Sequence, residues 1–299
     1  MDVTETKLSL GPLLFNWDKD KARDFYFAIA DEAPVDIVHV GEVVCSKRMP
    51  FQDWLADVID RLERGGKKVI LSTLILIMND REERAMKDIA ADADHLVEAN
   101  DLAAISALRG RPHAIGPFIN IYNEASLKYF EDGGAERITL PFELPKPSLE
   151  MLARAARAEL EVQVFGRLPL AISARCYHAR SHNLHKDNCQ YVCGKDADGR
   201  AVDTLDGQHF LAINGLQTLS HSYVNLIREL DEMAHMGIGS FRLSPHDTDM
   251  LKVCRIFRDR MDGALDGDAA VAALEDTIIT ADFSNGYYHQ KAGLKQVNP

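Results

Sequence analysis

Lys68-Val69-Ile70-Leu71-Ser72-Thr73-Leu74-Ile75-Leu76-Ile77-Met78 is an apolar run, and the stretch that follows it, from Asp80 to Ala93, is amphipathic. The run is far shorter than the roughly 18 to 20 residues that a membrane-spanning helix needs, so it reads as a buried strand with a surface helix behind it. The same pair recurs on both sides. Upstream, Leu8 to Phe15 precedes Asp18 to Ala33, and Val35 to Val44 precedes Pro50 to Arg64. Downstream, His95 to Ala99 precedes Asp101 to Leu108, Ala114 to Ile121 precedes Glu124 to Glu131, and Arg137 to Phe142 precedes Ser148 to Glu159. Glu161 to Ala171 then leads into a long irregular region, and Ser240 to Leu243 precedes Thr248 to Arg260. Strand and helix alternating in this way require parallel strands, and the length fits an α/β fold of the (β/α)8 TIM-barrel type, fully or imperfectly closed. A doubly wound open sheet is the runner-up, but no Gly-x-Gly-x-x-Gly turn follows the first strand, where Gly11-Pro12 stands alone.

Residues 1–299 therefore read as one barrel domain. Within it, 175–224 break the alternation and read as an insertion after strand seven, with turn-prone Gly194 to Gly199 and β-like pieces around Phe210 to Ile213. Residues 282–299 read as an ordered C-terminal tail with a turn at Asn285-Gly286.

A chain of 299 residues that is 46% hydrophobic and 27% charged is an ordinary globular protein. Its formal charge of -12 opposes a nucleic-acid partner, which calls for clustered Lys and Arg. Met1 to Lys7 lack the basic and apolar regions of a signal peptide, so the expected location is the cytoplasm, where five cysteines do not form a disulfide framework.

Twelve residues separate Cys176 from Cys189 and three separate Cys189 from Cys193, while Cys45 lies just after the second strand. In a barrel all strand C-termini open on one face, so Cys45 and the three cysteines after strand seven can meet at the mouth. Four thiolates suit an iron-sulfur cluster, and they also suit structural zinc, although the second tight Cys pair common at zinc sites is lacking. Plain burial is the third reading. A radical-SAM triplet is excluded because its third position is Asp196. Cys254 lies on the apolar face of the last barrel helix and reads as core, and His178, His182 and His185 read as solvated loop residues. Arg175, Arg180, Lys47 and Arg48 flank the cysteines, where positive charge favours thiolates. Glu42, Glu98 with Asn100, Asn120 with Asn123, Glu143 and Arg242 fall at strand ends. Arg242 is the best carboxylate-binding candidate there, unless it pairs with a glutamate inside the barrel. No catalytic base stands out, and no Ser/His/Asp, Cys/His or His-Glu-x-x-His signature is visible.

Gly41-Glu42-Val43-Val44-Cys45-Ser46-Lys47-Arg48, Leu71-Ser72-Thr73-Leu74, Leu168 to Ala171 running into Ala174-Arg175-Cys176, and Arg242-Leu243-Ser244-Pro245 together resemble the collagenase-like peptidase family U32, in its ubiquinone-biosynthesis branch. The resemblance runs from Leu8 to about Leu294. It implies a [4Fe-4S] cluster on Cys45, Cys176, Cys189 and Cys193 and a heterodimer with a related UbiU-like protein. It also implies O2-independent hydroxylation of ubiquinone precursors, prephenate as oxygen donor, and a sterol-carrier-like lipid-binding accessory protein. The family name keeps a peptidase in play, and a noncatalytic scaffold holding iron-sulfur or zinc is the third function. Some relatives hydroxylate RNA, which the acidic balance here opposes.

Overall fold

A computed structural model describes residues 6–278 and 281–298. Eight parallel strands close a barrel: β1 (Lys7–Leu10), β2 (Ile37–Val40), β3 (Lys68–Ser72), β4 (Leu96–Ala99), β5 (His113–Ile115), β6 (Ala135–Thr139), β7 (Glu159–Ile172) and, later in the chain, β11 (Ser240–Leu243). Closure is complete, because β11 pairs in parallel with both β1 and β7. The helices after the first six strands are α1 (Lys19–Glu32), α2 (Leu55–Arg64), α3 (Asp80–Ala90), α4 (Leu102–Leu108), α5 (Glu124–Asp132) and α6 (Lys146–Ala155). Several open on side-chain caps: Asp18, Asn79, Asp101 and Asn123 each accept a backbone N–H of the first turn.

The strands are shorter than the apolar runs that announce them. Leu13, Leu14 and Phe15 beyond β1, and Ile119 and Ile121 beyond β5, are buried in loops that fold over the barrel mouth, so hydrophobicity continues after the ladder ends.

β7 is different, since its 14 residues carry it out of the barrel. Its upper half pairs antiparallel with β10 (Gln217–Asn225), which pairs with β9 (His209–Asn214), and β9 pairs with β8 (Arg200–Asp203). Between β7 and β8 lie the short α7 (Tyr177–Ser181) and two 3-10 turns at Lys186–Asn188 and Val192–Lys195. The chain then returns through α8 (Leu230–Met236) to β11, followed by α9 (Met250–Met261) and α10 (Gly267–Glu275). The tail adds β12 (Phe283–Ser284) in parallel beside β10, and Asn285 and His289 bond the buried Glu229 at the start of α8. Among the described residues no helix is long and apolar enough to cross a membrane.

Candidate metal centre

Each cysteine is presented by a distinct local device. After β2, the buried Glu42 carboxylate accepts the backbone N–H groups of Val44 and Cys45 at 2.9 Å each, turning the chain so that Cys45 opens the 3-10 turn Ser46–Phe51. Cys176 caps α7, its sulfur 3.4 Å from the N–H of Ala179. Between Cys189 and Cys193 the chain reverses through Gln190 and Tyr191, both left-handed at φ 49° and 53°. Non-glycine residues there cost of order 1 kcal/mol each and persist only where the surroundings fix them. Asn214 supplies part of that fixing, donating from Nδ2 to Cys193 O at 3.1 Å and Asp196 O at 2.9 Å.

The result is one small cavity of about 20 Å³, partly open to solvent, lined by Cys45, Cys176, Cys189 and Cys193 together with Lys47, Arg48 and Gly215. All four cysteines are free thiols, two buried and two half-buried. Arg48 is buried under them, donating to Leu14 O at 3.1 Å and Asn214 Oδ1 at 2.8 Å, with Glu42 Oε1 at 3.8 Å. Burial works against its charge, but Glu42, Cys193 and Cys45 offset that and raise its pKa. Burial also pushes the Cys45 and Cys176 thiols up, with Arg48 acting in the opposite direction, so a metal entering the cavity displaces protons as it binds. The donor set fits a thiolate-held iron-sulfur or zinc centre on its chemistry: soft ligands, one buried cation, and a loop able to wrap the group.

Of the flanking cations in the sequence, Lys47 and Arg48 reach the cavity, whereas Arg175 and Arg180 are exposed and do not line it. Cys254 is fully buried in α9 as core. His185 is exposed, but His178 is fully buried, contrary to its reading as a solvated residue: β9 covers it, and its Nδ1 lies 3.1 Å from Ile213 O. Asn214 and Gly215 escape a sequence reading because their partners lie far away along the chain.

The barrel interior holds a second polar assembly. Alternate strand residues converge there: Ser9, His39, Glu98, Arg137, Thr139, Glu161, Ser240 and Arg242, all 4% exposed or less. Arg242 donates from Nε to Glu161 at 2.7 Å, and from Nη2 to Glu98 and to Thr139 Oγ1 at 2.8 Å. Arg137 pairs with Glu161 as well, and Glu161 accepts from Thr139 at 2.6 Å. Burial opposes ionisation of Glu98 and Glu161, but Arg242, with Arg137 at Glu161, prevails and holds both carboxyls well below their usual range. Two arginines thus balance two glutamates. Arg242 is committed to this lock, so the alternative of an internal pair holds and a carboxylate-binding role does not.

At the mouth, loops after β3, β5 and β6, the top of β7 and Tyr287 of the tail line an open trough with Phe118, Tyr122, Phe142 and Leu170. Phe118 and Phe142 meet edge to face at 5.7 Å, and Tyr122 donates its hydroxyl to Glu143, burial and that carboxylate pushing the Tyr122 pKa up to about 12. Deeper, Asp198 meets His246 Nδ1 at 2.5 Å, and it also binds Arg167 at 2.9 Å and Tyr223 at 2.6 Å. His246 Nε2 accepts the backbone N–H of Arg167 at 2.9 Å, which removes it as a general base; the group locks the cysteine-bearing segment onto β7.

Three solved structures share a broad likeness to the chain. Dihydropteroate synthase from Thermus thermophilus aligns at TM-score 0.44 and 12% identity over 88% of this chain and 95% of its own. PhdJ bound to a substrate intermediate aligns at 0.42 and 10% over 92% and 77%, and dihydrodipicolinate synthase from Agrobacterium tumefaciens at 0.34 and 12% over 91% and 81%. The barrel itself is defined by its strand pairing. The family model for Peptidase family U32 matches residues 18–298, and the chain belongs to that family.

Proposed function

We propose that this chain is a UbiV-like iron-sulfur subunit of an O2-independent hydroxylase in anaerobic ubiquinone biosynthesis. Cys45, Cys176, Cys189 and Cys193 would hold a [4Fe-4S] cluster, and the chain would act in the cytoplasm with a UbiU-like partner, a sterol-carrier-like accessory protein and prephenate as oxygen donor. The observation that carries this reading is the convergence of four cysteines, distant in sequence, on one cavity backed by a buried arginine. When bound, the cluster supplies one-electron chemistry. The chain's own residues orient the thiolates through Glu42 and Asn214, and Arg48 offsets their negative charge. The trough with Phe118, Phe142 and the Tyr122–Glu143 pair offers an aromatic-lined place for a planar ring at the same end of the barrel.

A peptidase reading finds less support. The Asp198–His246 pair has no free ring nitrogen to activate a nucleophile, since His246 Nε2 accepts the Arg167 N–H.

Anaerobic purification followed by iron, sulfide and zinc analysis tests the assignment. About four iron and four sulfide per chain, lost in Cys45→Ala together with anaerobic quinone hydroxylation, is the expected result. Zinc alone at the cysteines would reduce the protein to a structural scaffold and overturn the hydroxylase reading.

A further inference from the structure

We propose that His178, His182 and Asp196 form a second, mononuclear site for a divalent cation, zinc by its ligand chemistry, which staples the two ends of the cysteine loop. One donor atom from each of the three lies within 4.8 Å of the others. His178 is fully buried, and its Nδ1 donates to the Ile213 carbonyl at 3.1 Å, which leaves Nε2 as the lone-pair nitrogen. A backbone carbonyl holding one ring nitrogen while the other faces inward is the usual support of a metal-bound histidine.

Nε2 faces Asp196 Oδ2 at 2.9 Å. A buried ring nitrogen and a carboxylate oxygen this close are bridged by a proton or by a metal cation, and a third donor at the same spot is what the cation needs and the proton does not. His182 stands four residues on and stacks on His178 with centroids 5.6 Å apart and planes at 17°, which brings a second imidazole to the same spot. Two imidazoles and one carboxylate, with water in the fourth position, match tetrahedral zinc and not a thiolate-held cluster.

The position gives the site its role. His178 follows Cys176 by two residues and Asp196 follows Cys193 by three, so one ion ties the beginning of the three-cysteine segment to its end. Arg200 is the competitor, its Nη1 2.7 Å from His182 Nε2. A guanidinium there holds the place of the ion and must swing away on binding. That fixes the sign of a test which a purely structural ion pair would not give.

The site does not depend on which group the four cysteines carry. Full-length protein, purified anaerobically with its cysteine centre in place and freed of loose metal on a chelating resin, is titrated with Zn2+ and, separately, with Co2+ as the optical probe. About one zinc per chain is expected beyond the metal at the cysteines, with a cobalt spectrum free of thiolate charge-transfer bands. The added zinc is lost in His178→Gln and in Asp196→Asn, retained in Cys45→Ala, and bound about tenfold more tightly in Arg200→Ala. Asp196 is half-exposed, so its variant keeps the test sound if the His178 variant fails to fold. Equal zinc in wild type and Asp196→Asn, cobalt bound through sulfur only, or weaker binding in Arg200→Ala would each overturn the site.

Discussion

Replacing Arg48 by Met keeps much of the side-chain volume and removes the only cation buried beneath the cysteine cavity among the described residues. Two hydrogen bonds go, to Leu14 O and Asn214 Oδ1, and Glu42, whose side chain is 3% exposed and whose pKa burial already raises, is left with only backbone N–H partners against the cost of its charge. Breaking a buried ion pair from one side costs about 3–5 kcal/mol because the remaining charge is left uncompensated. With an unfolding entropy of about 2.1 cal/mol/K per residue, a chain of 299 residues converts that into a fall in Tm of about 5–8 °C. Differential scanning calorimetry on anaerobically purified protein measures it, with metal analysis on the same samples. The double variant Glu42→Gln/Arg48→Met removes the stranded charge and is expected to recover most of the lost Tm, while still holding less metal because the thiolates lack their counter-charge. A single variant that melts within about 1 °C of wild type, or a double variant no more stable than Arg48→Met, refutes the reasoning.

Gly215→Ala places a Cβ 2.6 Å from Arg48 Nη2 at a left-handed φ of +64°, so it is expected to lose about 2 kcal/mol and part of the metal, read by chemical denaturation and metal content. Arg242→Met leaves Glu98 without a guanidinium and Glu161 with Arg137 alone, and is expected to cost about 3–5 kcal/mol or yield insoluble protein; wild-type stability would mean that the lock does not hold the barrel closed. Burial lowers the pKa of His39, His113 and His246, so the unfolded chain takes up protons near pH 6.5 that the fold refuses. Stability is therefore full above that pH and falls as acid is added, by about 1 kcal/mol between pH 7 and 5.5 for each histidine that stays neutral. Urea midpoints at the two pH values check this, and a flat profile contradicts it.

The barrel was legible because its eight apolar runs are separated by amphipathic stretches, a pattern that only parallel strands with covering helices satisfy. Strand ends were not legible. Leu13 to Phe15 and Ile119 are as hydrophobic as the strand residues before them, and only the ladder shows that they belong to mouth loops. The run from Gln217 to Asn225 is irregular in sequence because its partners, β7 and β9, bury it unevenly, and it became a strand only through that pairing. The cysteines could be picked out by residue type. Asn214 and Gly215 could not, and Arg48, named with three other flanking cations, could not be told from a surface charge until Asn214, 166 residues away, is seen to bind it. The interior lock did leave a trace that was open to reading: Arg137 and Thr139 in β6, and Ser240 and Arg242 in β11, recur at every second position.

The lock has a consequence for the order of events during synthesis. Glu98 and Arg242 lie 144 residues apart, which at about 5–20 residues per second separates their appearance by roughly 7–30 s. Throughout that interval Glu98 has His39 and Asn100 for partners but lacks the guanidinium that offsets most of its burial. Cys45, Cys176, Cys189 and Cys193 are all polymerised before Arg242, and the chain therefore passes through a stage in which every thiol of the cavity exists while the barrel still stands ajar.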